Sequence, residues 1–145
     1  MMLTGVVARY VDAWNEHDPV GCGECFAPEG ERIWLVLSPS HLRGDPFPRF
    51  SGRAEVAGAI GDFMRSVPDV RVDVTALSEG SDDRVWTEWR LTGTHREDWG
   101  DWMAGGEPVD LRGVSIFTVG AEGIVLERVY WDTLMMTNPA VVLMR

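Results

Sequence analysis

The sequence has no lysine: its 13 basic residues are all arginines, placed singly from Arg9 to Arg145, against 23 acidic residues. With a net charge of −10 it has no basic stripe that could follow a phosphate backbone or an anionic membrane, so nucleic acid and membrane are disfavoured as partners. Long apolar runs are missing too, and none approaches the roughly 18–20 residues of a membrane-crossing helix. The opening stretch MMLTGVVARYVDAW lacks a basic segment followed by an apolar stretch and a cleavage site, which makes the cytoplasm the expected location. Cysteine is scarce. Cys22 and Cys25 form a lone CxxC, and His17, His41 and His95 lie too far apart in sequence to complete a zinc site with them. No GxGxxG follows a strand pattern, there is no GKS or GKT, and acids and histidines do not cluster, so no metal, flavin or nucleotide cofactor is expected.

What is present is one domain's worth of core. The 145 residues, 45% hydrophobic, show no repeat, low-complexity tract or linker, and read as a single domain over 1–145. Leu3, Val6, Val7, Tyr10, Val11 and Trp14 recur at helical spacing and predict an amphipathic helix over 3–16. Asp18-Pro19 supplies a cap and a first-turn proline for a second helix to about residue 27, with Cys22, Cys25 and Phe26 as one buried stripe. A turn at Pro28-Glu29-Gly30, a strand over 31–37 and a long loop over 38–51 follow. A third helix over 53–66 carries Val56, Ile60, Phe63 and Met64 on one face and stops before Pro68.

Beyond Pro68 the apolar period changes from helical to two. Val70, Val72 and Val74 alternate with polar residues, as do Val85, Thr87, Trp89 and Leu91, and Val109, Leu111, Gly113, Ser115 and Phe117 share a face. A last strand covers 124–132. Three helices followed by hairpin-linked strands predict an α+β fold, a curved antiparallel sheet covered by helices and enclosing an apolar cone open at one end. Ser115 and His95 point inward by strand parity. Trp86, Val114 and Ile116 on the outer face predict a homodimer through that face.

Several segments in this order carry a resemblance: YVDAWNEHD at 10–18, CFAPEG at 25–30, VPDVRVDV at 67–74, LTGTH at 91–95, GGEPVDLRGVSIF at 105–117 and GIVLERVYWD at 123–132. Together they resemble the SnoaL-like polyketide cyclases of the nuclear transport factor 2-like superfamily, relatives of ketosteroid isomerase and limonene epoxide hydrolase. The resemblance implies the cone fold, no cofactor, and aldol-type cyclisation or isomerisation of a hydrophobic carbonyl compound. It also implies a catalytic carboxylate at the end of the last strand, which falls on Asp132, while the family's tryptophan in that strand is replaced by Arg128. For ketosteroid isomerase, Tyr10 matches the oxyanion-stabilising tyrosine. The general base falls on Trp34 or Ser38 and the protonated aspartate on Ser115, so steroid isomerisation is not expected. For limonene epoxide hydrolase an Asp-Arg-Asp set is needed, and Arg90 and Arg112 have outward parity.

The candidate catalytic residues are therefore Asp132 and His95. Asp132 either moves a proton in a dry cone or caps the turn that follows it. His95 either assists it or bonds loop backbone. Candidate ligand-lining residues are Tyr10, Trp14, Trp34, Phe63, Trp89, Ser115, Phe117, Arg128 and Tyr130, with Trp99 and Trp102 on a glycine-rich loop across the mouth. A non-catalytic binding or dimerisation module is the competing reading.

Overall fold

The computed structural model describes residues 3–35, 47–100 and 102–132. Helix α1 (Leu3–Asn15) buries Val6, Val7, Tyr10 and Trp14, the stripe its apolar spacing predicts. Helix α2 (Pro19–Glu24) starts with Pro19 in its first turn, where the Asp18 Oδ1 accepts the Gly21 N–H at 2.9 Å. It ends sooner than its apolar stripe suggests: Cys25 caps it and Phe26 opens strand β1 (Phe26–Trp34). Cys22, Cys25 and Phe26 are all buried regardless, and both thiols are free. The expected turn at residues 28–30 is instead an irregular stretch inside β1, between the Phe26–Ile124 and Glu31–Leu126 pairings. Strand β2 (Arg49–Ser51) lies within the expected 38–51 loop, of which residues 38–46 fall outside the described residues. Helix α3 (Arg53–Ser66) follows Gly52, whose φ of 88° suits a residue without a Cβ.

Strands β3 (Arg71–Glu79), β4 (Arg84–Thr94), β5 (Pro108–Gly120) and β6 (Gly123–Trp131) follow, and among the described residues the strands form one six-stranded sheet in the order β2-β1-β6-β5-β4-β3. Every neighbouring pair is antiparallel except β1 and β6, so the sheet is mixed. Register shifts at Val74/Ala76 and Thr118/Val119 mark the bulges that let long strands curve. Helix α1 lies over β3, β4, β5 and β6, while α2 packs on α3 and α3 reaches β1 and β2. The helices and the sheet enclose one apolar core.

The NEHD stretch after α1 explains how this helix is fastened to the sheet. Asn15 Oδ1 accepts the Val72 N–H at 2.7 Å and its Nδ2 donates to the Val72 carbonyl at 2.9 Å, so one side chain imitates a neighbouring strand at the edge of β3. Beside it His17, with φ 56°, bonds the Val70 carbonyl through Nε2 at 2.8 Å. These contacts set the position of Tyr10 and Trp14 over the concave face.

Candidate functional site

Cross-strand register decides which side chains meet inside the cone. On the concave face Val85 of β4 is opposite Phe117 of β5, which is opposite Glu127 of β6, which is opposite Arg32 of β1. The next row runs Thr87, Ser115, Val129 and Trp34, and the next Trp89, Gly113 and Trp131. Gly113 has no side chain between two tryptophans. A Cβ there would overlap the Trp89 ring and the Tyr130 carbonyl, so the glycine lets Trp89 lie across β5. In that position its Nε1 donates to the Ser115 Oγ at 3.0 Å.

The centre of this face is a carboxylate. Glu127 is 3% exposed and receives three donors: Tyr10 Oη at 2.7 Å and Arg32 Nε at 2.8 Å, both on Oε1, and Ser115 Oγ at 2.9 Å on Oε2. Thr87 fixes the Ser115 backbone by donating to its carbonyl at 2.9 Å. Arg32 is itself buried and its guanidinium lies 5.6 Å over the Trp14 ring. Burial works against the Arg32 charge, but the Tyr10 and Glu127 oxygens beside it prevail and raise its pKa above the usual guanidinium value. Burial also pushes the Tyr10 phenol well above its ordinary pKa, with Arg32 opposing and Glu127 reinforcing, so Tyr10 remains an O–H donor at neutral pH.

This polar cluster lies on the wall of a two-lobed apolar cleft. The first lobe is bounded by Val7, Val11, Val72, Leu91 and Phe117, with Tyr10, Arg32, Ser115 and Glu127 as its polar wall. The second shares Trp14, Arg32, Trp89 and Leu91 with the first and adds Trp34, Phe63, Trp99, Leu111, Val129 and Trp131. Trp34 is its hub, with ring centroids 4.8 Å from Phe50, 5.0 Å from Trp99 and 5.7 Å from Trp131. Trp99 also meets Phe63 edge-on at 5.1 Å.

Of the residues singled out from the sequence, Tyr10, Trp14, Trp34, Phe63, Trp89, Trp99, Ser115 and Phe117 line these lobes. Those on the last strand require correction. Register places Glu127, Val129 and Trp131 inward, so Arg128, Tyr130 and Asp132 are on the opposite parity, and a one-residue offset reverses every side chain of a strand. Tyr130 is 38% exposed, Arg128 is half-buried on the outer face, and Asp132 is exposed, its backbone N–H bonded to the Arg112 carbonyl at 3.2 Å. The acid on the cleft wall is Glu127. His95 is buried but does not line either lobe: it stacks against Trp102, centroids 3.6 Å apart, beyond Phe63. Ser38, the alternative place for an isomerase base, lies outside the described residues. Sequence reasoning passed over Glu127 and Arg32. GERIWL and VLERVYW each carry an acid beside a base, Glu31-Arg32 and Glu127-Arg128, and only the strand register selects Arg32 and Glu127 as the buried pair.

The sequence matches one family. Residues 7–128 fit the SnoaL-like domain model, and the chain belongs to that family. Among solved structures it is similar to a protein from Jannaschia sp. CCS1 named for the SnoaL-like polyketide cyclases, with 19% identity, TM-score 0.75, and 97% of this chain and 88% of that one covered. It is also similar to a protein from Xanthomonas campestris pv. campestris named for the polyketide cyclases, with 23% identity, TM-score 0.70, and 91% of each chain covered. A third, from Catenulispora acidiphila, has a ketosteroid isomerase-like fold and was crystallised with trimethylamine; it has 18% identity, TM-score 0.72, and 90% and 88% coverage of this chain and that one. At these identities the likeness is one of fold. No curated protein matches the chain.

Proposed function

We propose that this protein is a cofactor-independent acid/base enzyme acting on a hydrophobic carbonyl compound bound in the two-lobed cleft. The observation that carries the reading is the convergence of Tyr10, Arg32 and Ser115 on a single buried carboxylate at the wall of an otherwise apolar cavity. Glu127 takes a proton from the carbon next to the ligand's carbonyl. The C–H electron pair becomes the enolate double bond, and the carbonyl oxygen takes the negative charge. Tyr10, kept protonated by burial, and the Arg32 guanidinium are the groups able to meet that charge, in surroundings too dry to screen it. Return of the proton to another carbon completes an isomerisation. Attack of the enolate carbon on a second carbonyl, with protonation of the alkoxide, completes an aldol-type cyclisation. Family membership and relatives named for cyclases support this chemistry.

The competing reading, a binding module without catalysis, draws on the same cluster: Arg32 matches the Glu127 charge, and such a pair also organises a core. The two part on Glu127→Gln, which preserves shape and removes the base. With 2-tetralone in D2O as probe, NMR should show the wild type accelerating exchange of the α-protons. The variant should lose that acceleration by about 100-fold or more while still binding the probe. Equal exchange by both proteins refutes the catalytic reading. We further propose a second copy of the chain as the partner of the outer sheet face, where Trp86 (44% exposed) and Tyr130 flank the half-buried Val114 and Ile116. Sedimentation of the wild type and of Trp86→Glu tests this, a dimer being expected only for the former.

A further inference from the structure

The three donors on Glu127 do not share its two oxygens equally. Oε1 accepts from Tyr10 Oη and Arg32 Nε, which takes up both of its lone pairs, while Oε2 accepts from Ser115 Oγ alone and keeps one. The Ser115 hydroxyl has a single hydrogen, and the Trp89 N–H that donates to its oxygen leaves that hydrogen for Glu127. Oε2 is therefore the oxygen with room for a further proton, on the side of the carboxylate that Ser115 and Trp89 fix. Arg32 is unevenly used as well. Among the described residues its head group makes one hydrogen bond, from Nε, and neither Nη is a fully covered atom without a partner, as Trp34 Nε1 is. Nη1 and Nη2 thus meet the cleft, both of whose lobes Arg32 lines.

The two lobes offer a ligand different surroundings. Glu127 and Ser115 line the first and not the second. Beyond the walls common to both, the first adds the aliphatic side chains of Val7, Val11, Val72 and Val74, whereas the second adds the rings of Trp34, Phe63, Trp99 and Trp131. An aromatic group gains edge and face contacts among such rings that an alkyl chain does not. We propose that the cleft takes ketones with an aromatic group on one side of the carbonyl and an alkyl group on the other, and holds them in one orientation. The ring lies in the second lobe, the oxygen accepts from the Arg32 Nη atoms where the lobes join, and the alkyl α-carbon lies in the first lobe against Glu127 Oε2. This rests on the acid/base reading above and adds to it which flanking carbon loses its proton. Oε2 takes that proton, the C–H electron pair becomes the enolate double bond, and the charge left on oxygen faces the guanidinium.

The test uses the wild-type protein and 1-phenylbutan-2-one, which has a CH2 on each side of its carbonyl. In D2O buffer alone the benzylic CH2 exchanges faster, because its carbanion spreads into the ring. On the protein the order of acceleration should reverse. NMR should show the rate enhancement over buffer at the ethyl CH2 exceeding that at the benzylic CH2 by about tenfold or more, since only the former is placed against the base. Nuclear Overhauser contacts of the bound ketone should join its ring protons to the Trp34 and Trp99 indoles, and its methyl group to the Val7 and Val72 methyls. The Arg32 Nη–H resonances should shift on binding. A greater enhancement at the benzylic CH2, ring contacts with the valine methyls, or unmoved Arg32 resonances overturns the orientation and leaves the acid/base reading standing. Binding with no acceleration at either carbon overturns the acid/base reading and this proposal together, as does failure to bind.

Discussion

Arg32 and Glu127 are opposite one another in the parallel register of β1 and β6, and their side chains close a buried ion pair at 2.8 Å. Removing either partner leaves a charge without its counter-ion in a low-dielectric interior. Glu127→Leu and Arg32→Met should each cost about 3–5 kcal/mol, and the double variant Arg32→Met/Glu127→Leu should cost clearly less than the sum of the two. Urea unfolding of the four proteins measures this. Additive losses would mean that the pair does not act as a unit.

Gly113 makes a prediction about cavity shape. The Cβ of Gly113→Ala overlaps both the Trp89 ring and a backbone oxygen, so Trp89 must leave its place and give up its bond to Ser115. A loss of about 1–3 kcal/mol is expected from the forced shift, accompanied by weaker binding of apolar probes in both lobes, since Trp89 walls each of them. Unaltered binding and near-UV circular dichroism would contradict this account of the glycine.

Asn15 offers a test of how α1 is anchored. Asn15→Ala removes both bonds to Val72 and should destabilise the fold by about 1–3 kcal/mol, with faster hydrogen exchange at the Val72 amide. Asn15→Asp keeps the acceptor for that amide and should leave its protection nearer to the wild type.

The titration of Tyr10 has a definite sign. Burial raises its pKa in the folded state, so the fold favours the protonated phenol. Its contribution to stability is complete below the unfolded value of about 10 and is lost as pH rises above that. Urea midpoints should therefore fall above about pH 10 in the wild type, with a shallower fall in Tyr10→Phe. Identical slopes would place the alkaline sensitivity elsewhere.

The helices, the strand alternation and the α+β fold with its curved sheet were legible because each follows from short-range spacing. Val6, Val7, Tyr10 and Trp14 in α1, and Val85, Thr87 and Leu91 in β4, are buried as their periods require. The facing of β6 was not legible. VLERVYWD has apolar residues on both parities, so only pairing with β5, where Phe117 meets Glu127, could decide between Glu127 and Asp132. The short β2 was hidden for another reason: Arg49-Phe50-Ser51 has no alternation of its own and is a strand only through the edge of β1.

The parallel pairing of β1 with β6 bears on how the polypeptide matures. The guanidinium and the carboxylate are 95 positions apart, and the strand bearing the carboxylate is the last of the described strands in chain order. A nascent chain emerging from the ribosome has α1, α2 and β1 in hand long before Arg32 can find its counter-charge. Until β6 is made, β1 and β5 lack the strand that lies between them in the sheet, and the cleft wall lacks its carboxylate.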